Sequence, residues 1–202
     1  MTFKLIITRL QLSNKKFITG EEIREYCKEI SLDYYATIRY LTFYKYLVRI
    51  FKGIFYIKSI EERKLNKTDI SYFEIIKKAL EIKGVKKWYF GLETALKINN
   101  LTHEYFTIDS IISDSLFRAK PITILGRKIK FVKISSKLVS FGVKKNNVFY
   151  SDPEKTALDL LYLKKYSKSE FLELIKKLSM SKLIKYSKFY DKRVKEIMKG
   201  MK

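Results

Sequence analysis

Within residues 32–58, LDYYATIRYLTFYKYLVRIFKGIFYIK, the spacing of apolar positions changes from a helical to a strand period. Ile38 and Leu41 are spaced to line the inner face of a helix. Tyr35, Arg39 and Thr42 then fall on its outer face, with Thr37 and Tyr40 towards the margins. After Lys45 the period shortens, and Leu47, Arg49 and Phe51 alternate with Val48 and Ile50 as in a strand. Lys52-Gly53 makes a two-residue turn, for which Gly53 supplies the positive φ, and a return strand runs to Lys58. A helix leading into a small basic hairpin predicts the recognition helix and wing of a winged helix-turn-helix.

The flanking pattern completes that unit. Residues 3–13 predict a helix with Phe3, Ile6, Ile7 and Leu10 inward, and Asn14-Lys15-Lys16 a turn. Thr19 and Glu22 form a capping box that starts a second helix over 20–30, with Ile23, Tyr26, Cys27 and Ile30 inward. Asp33 is placed to cap the third helix. Residues 1–60 are therefore expected to be a winged-helix domain, and the polar stretch 61–69 a linker. Residues 70–202 then form a mixed α+β domain. It opens on a helix with Ile70, Phe73, Ile76 and Leu80 as its stripe. A short strand at 87–90, a helix over 92–98 and strand-like patterns from 105 to 150 follow. A long helix from Asp152-Pro153 to Tyr166 and short helices over 168–178, 179–187 and 190–199 end the chain. The fold class expected is α+β, with an N-terminal winged helix-turn-helix and terminal helices.

Charge changes this picture from a fold to a partner. The 202 residues carry 43 lysines and arginines against 21 acids, a net charge of +22. Such an excess favours a polyanionic partner, most often nucleic acid; the plain alternative is a lysine-rich composition without a ligand. Between Asp114 and Asp152 the chain has no acidic residue but nine basic ones, including Arg118, Lys120, Arg127, Lys128 and Lys130. This stretch is either a second surface for a phosphate backbone or a charged, solvated sheet face. One cysteine, Cys27, excludes an intramolecular disulfide and a cysteine-rich metal site. The apolar runs fall far short of the ~20 residues that a membrane span needs. A cytoplasmic protein without leader, cofactor, metal or membrane partner is expected.

The candidate DNA contacts are Tyr35, Thr37, Arg39 and Tyr40 on the third helix, and Arg49 and Lys52 on the wing. Arg39 has the chemistry for a bidentate contact to guanine, whereas Arg49 and Lys52 suit phosphates or the minor groove. For the four residues on the helix the alternative is a solvated face. Ser151, Asp152, Pro153 and Glu154 read as a helix start rather than a catalytic acid pair, with either Asp152 as N-cap or Ser151 and Glu154 as a capping box. His103, the only histidine, lies outside any nucleophile motif, and Trp88 reads as packing. No enzyme is expected.

At VFYSDPEKTALDLLYL, residues 148–163, the sequence resembles the AbiEi-type abortive-infection antitoxins. Ser151-Asp152-Pro153-Glu154-Lys155-Thr156, Asp159-Leu160-Leu161, Gly91-Leu92-Glu93-Thr94-Ala95-Leu96 and the wing Lys52-Gly53-Ile54-Phe55-Tyr56 carry the resemblance. It departs at Lys45 and Asn100, where the family commonly has glycine. The resemblance implies a winged-helix repressor of its own operon that binds double-stranded DNA, expected as an inverted repeat at its promoter. It also implies the antitoxin role in a type IV toxin–antitoxin system, countering a nucleotidyltransferase-like toxin without implied direct contact. Two other readings remain: an RNA-associated nucleic-acid-binding factor without repressor activity, and a protein–protein adaptor.

Overall fold

A computed structural model describes residues 3–201. The chain divides into two compact units, 1–84 and 85–202. The protein is a mixed α+β structure whose last four elements are helices.

The first unit runs α1 (Phe3–Leu12), β1 (Phe17–Thr19), α2 (Gly20–Glu29), α3 (Tyr34–Phe43), β2 (Leu47–Phe51), β3 (Ile54–Ile57), α4 (Ile60–Lys64) and α5 (Tyr72–Ile82). Its three strands are antiparallel in the order β1-β3-β2. Strand β1 was not legible as a strand, because three residues are too few to show a period. Ile6, Leu10, Ile23, Cys27, Ile38, Leu41, Leu47 and Phe55 make one core, so the apolar positions of all three helices meet the hairpin. Both expected caps form: Thr19 and Glu22 as a capping box, and Asp33 accepting from the Ala36 amide at 2.7 Å. A bulge between Arg49 and Phe51 interrupts the alternation of β2, so that Ile50 and Phe51 are both buried.

The expected boundary at 61–69 moves. Ser59 and Glu62 cap the short helix α4, and α5, expected to open the second domain, belongs to the first unit. The polar composition of this stretch conceals a buried anchor. Glu62 accepts from the Tyr56 hydroxyl, the Ser59 amide at 2.8 Å and the Asp69 amide at 2.7 Å, with the Lys16 ammonium 3.7 Å away.

The second unit runs β4 (Trp88–Phe90), α6 (Leu92–Ile98), β5 (Ile108–Ser113), β6 (Arg118–Ile124), β7 (Arg127–Lys133), α7 (Ser136–Val139), β8 (Val143–Lys145), β9 (Phe149–Ser151), α8 (Pro153–Tyr162), α9 (Lys168–Ile175), α10 (Met180–Ser187) and α11 (Lys192–Lys199). Its six-stranded sheet has the order β6-β7-β5-β4-β9-β8, with β5–β7 and β4–β9 parallel and the other pairs antiparallel. Helix α8 is buried along nearly its whole length and packs with α6, α9 and α10. Lys164, in the left-handed region, follows its end four residues earlier than the apolar pattern predicts. Lys45 and Asn100, the departures from glycine, also have positive φ, 58° and 55°. No helix among the described residues is long and apolar enough to cross a membrane.

Burial pushes the Glu62 carboxyl up, but its hydrogen bonds and Lys16 outweigh this and hold it below the ordinary value of 4.5. Its contribution is therefore present above that pH and lost as the pH falls through the depressed value. Glu62→Gln is expected to lower stability at pH 7 by about 1–3 kcal/mol and to flatten the acid limb of a urea-unfolding series.

Candidate nucleic-acid interface

Helix α3 buries Thr37, Ile38 and Leu41 and turns Tyr35, Ala36, Arg39 and Phe43 outward. These are opposite faces of one helix, and the division corrects the expected contact set. Thr37 is fully buried, and its hydroxyl donates to the Asp33 carbonyl at 2.7 Å. A threonine whose hydroxyl is satisfied by its own helix behaves as a small core residue, so a position that spacing left at the margin packs inward. Tyr40 is half-buried, stacked on Phe3 with ring centroids 4.2 Å apart and tilted against Tyr44 at 4.5 Å. It fastens α3 to α1 more than it faces solvent. Thr42 likewise spends its hydroxyl on the Ile38 carbonyl at 2.7 Å.

Tyr35 and Arg39 stand where the helical period put them: Tyr35 is 71 % exposed and Arg39 is exposed. Ala36 and Phe43 are two outward residues that sequence reasoning passed over. Their spacing from Arg39, three before and four after, was the available signal, but apolar side chains do not announce an outer face.

The β2–β3 hairpin stands beside this helix within the same unit. Arg49 is exposed opposite Phe55, with its guanidinium 5.6 Å from that ring. Lys52 is exposed at the turn, where Gly53 has φ 74°. The Gly20 amide, at the start of α2, donates to the Gly53 carbonyl at 2.8 Å. A Cβ at Gly20 would lie 2.8 Å from the Tyr34 hydroxyl and 3.4 Å from the Gly53 Cα. Glycine here lets the turn, α2 and the start of α3 converge. A groove of about 650 Å³ runs along this junction, with Arg24, Lys28 and Lys52 as its cations and Glu21 and Glu25 as its acids.

The acid-free stretch of the second unit is not gathered onto one surface. Arg118 lies opposite Phe131, and strand alternation places Lys128 and Lys130 on the face away from Ile129 and Phe131. Arg118 and Lys128 therefore occupy opposite faces. Arg127 pairs with Asp109 at 3.1 Å, and Lys130 is half-buried. Lys120 and Pro121 are exposed on β6, an edge strand, where a lysine and a proline discourage pairing with another chain. Edge protection accounts for part of a charge that composition attributed to a ligand.

The segment Ser151-Asp152-Pro153-Glu154-Lys155-Thr156 is a buried helix start. Asp152 caps α8 by accepting from the Lys155 amide at 2.9 Å, and Pro153 takes the first turn. Ser151 bonds the Thr156 hydroxyl at 2.7 Å, and Glu154 accepts from the Ser179 amide at 3.2 Å, so the alternative capping box does not form. Lys155 is fully buried, 3.2 Å from Asp159 and within 4.9 Å of the Tyr89 ring and 4.6 Å of the Phe141 ring. Tyr190 and Tyr89 donate to Asp159 at 2.6 and 2.7 Å. Burial lowers the Lys155 pKa, against the raising effect of Asp159. Both side chains of this ion pair are fully enclosed. Among the described residues, no group of three or more His, Cys, Asp and Glu side chains is placed to hold a metal ion.

The fold defines an α+β protein of two units with helices at its C-terminal end. No family model matches the chain, and no curated protein matches it. A crystal structure of the RV2827C protein from Mycobacterium tuberculosis is similar in fold, with a TM-score of 0.58 at 12 % identity. The match covers 96 % of this chain and 75 % of that one. At this identity the likeness is one of fold alone.

Lys155→Met leaves Asp159 as a buried carboxylate without its cation. The expected cost is about 3–5 kcal/mol of unfolding free energy in urea, with no change of exposed charge. A loss within the scatter of surface substitutions would contradict the enclosed pair.

Proposed function

We propose that this chain is a DNA-binding transcriptional repressor, whose first unit acts as a winged helix-turn-helix. Helix α3 enters the major groove and the β2–β3 turn touches the neighbouring backbone. One observation carries the reading: Arg39 projects from the middle of an exposed helix face beside a hairpin that exposes Arg49 and Lys52. The order of helices and strands in the unit, and the cap that fixes the start of α3, support it. Arg39 supplies base contact, Arg49 and Lys52 supply position, and Tyr35 stands at the N-terminal end of the contact. The net charge of +22 supplies the sequence-independent part of the affinity. The target is the promoter of the chain's own operon, read as an inverted repeat.

The antitoxin role rests on the resemblance at 148–163 and at 91–96. In that reading the chain represses synthesis of a nucleotidyltransferase-like toxin and counters its effect, without catalysis of its own, in the cytoplasm. Lys128 and Lys130, which share a face of β7, are the members of the second basic stretch best placed to add backbone contacts.

Titration of the full chain with the duplex upstream of its own gene, beside a scrambled duplex of equal length, tests the reading across a salt series. A preference of ~10³-fold or more is expected, the low end for specific DNA binders. Equal affinity with a steep salt slope would replace it with non-specific binding, and tighter binding to RNA would turn it to an RNA-associated factor. In the same assay, Arg39→Ala is expected to cost ~1–3 kcal/mol on the native site and little on the scrambled one. Lys52→Ala should weaken both alike and reduce the salt slope by about one.

A further inference from the structure

Four residues form the outward stripe of α3, and their hydrogen-bonding capacity is uneven. Arg39 and the Tyr35 hydroxyl are polar, whereas Ala36 and Phe43 offer carbon alone, with Phe43 76 % exposed. The hydroxyls of Thr37 and Thr42, the helix's remaining short polar side chains, are turned back onto helix carbonyls. Residues 34–43 contain no Asn, Gln, Asp or Glu, the side chains that pair with the major-groove edges of adenine and cytosine.

Arg39 is also singular among the arginines of its unit. Arg9 pairs with Glu29, and Arg24, Arg49 and Arg63 lie over the rings of Tyr34, Phe55 and Tyr46. Among the described residues, the Arg39 guanidinium has neither an anionic nor an aromatic partner. An exposed, always-charged guanidinium thus shares one helix face with the carbon side chains of Ala36 and Phe43.

We infer that this stripe reads a short major-groove sequence in which a guanine is flanked by thymines. Arg39 addresses the O6 and N7 acceptors of guanine, and Ala36 and Phe43 meet thymine 5-methyl groups. The inference rests on the reading of α3 as the groove-binding helix. Thymine is the base that presents a methyl group in that groove, and alanine and phenylalanine are among its apolar partners. Ala36 and Phe43 are seven residues apart, a rise of about 10 Å. That matches about three base-pair steps at 3.4 Å. An apolar protein partner fits less well, because it would bury the Arg39 charge at the centre of the contact without a counter-ion.

The test is selection of bound duplexes from a random library by the full chain. The winning site is then titrated with single thymines replaced by deoxyuridine and single guanines by 7-deazaguanine. Deoxyuridine removes one methyl group and leaves every hydrogen bond. At one or two thymines near a guanine it is expected to weaken binding about fourfold, the worth of one buried carbon at about 0.8 kcal/mol. Phe43→Ala should erase one of these penalties, and Arg39→Ala the 7-deazaguanine penalty. A winning site indifferent to deoxyuridine overturns the inference and leaves the groove-binding role of α3 standing. Penalties that persist in both Phe43→Ala and Ala36→Gly also overturn it, since the methyl groups are then read elsewhere. If no sequence is enriched, the groove-binding reading itself fails and the inference falls with it.

Discussion

The hydrogen bond from the Gly20 amide to the Gly53 carbonyl, 2.8 Å long, is the contact on which the first unit's exposed face depends. It joins the start of α2 to the turn of the hairpin, at a place where a Cβ would lie 2.8 Å from the Tyr34 hydroxyl. Helix N-termini carry unsatisfied amides, and here one of them takes the carbonyl of a distant turn. Thr19 and Glu22 satisfy two more donors of the same end. The turn that exposes Lys52 is thereby fixed to α2, which packs against α3, the helix that exposes Arg39. A recognition surface made of two elements is useful only if their separation is fixed before the ligand arrives, because ordering it on binding would subtract from affinity.

Much of this framework is legible in the chain itself. Period-3.6 spacing located α1, α2 and α3, the Thr19/Glu22 and Asp33 caps fixed two starts, and Gly53 marked the turn. What escaped reading escaped for identifiable reasons. Strand β1 is too short to show a period, and α4 is polar in sequence because its buried residue, Glu62, is charged. Thr37 was placed at the helix margin by its spacing and is buried, its hydroxyl satisfied by a backbone carbonyl. Phe43 and Ala36 were passed over from the opposite bias, since an outward apolar residue looks like core until the face is seen. Single side chains at a helix margin are decided by tertiary packing, which periodicity does not contain.

The second unit shows the same lesson for charge. Nine basic residues in an acid-free stretch suggest one surface, yet the pleat of β7 divides them and an ion pair with Asp109 engages Arg127. Conversely, Lys155 and Asp159 add nothing to net charge and are among the most buried groups of the unit. With Tyr89 and Tyr190 donating to Asp159, they join α8 to β4 and to the segment after α10. Helix α8 is therefore a polar as well as an apolar centre. Its motif serves capping and buried packing.

The central claim is that the outward face of α3, with the neighbouring hairpin turn, is the surface that meets DNA. Amide chemical-shift mapping of the full chain with its upstream duplex tests this most directly. The account predicts that the largest changes fall at Tyr35, Ala36, Arg39, Phe43, Lys52 and Gly53, with Ile38 and Leu41 less affected. Changes concentrated in β6, β7 or α10 and α11, with α3 silent, would contradict it.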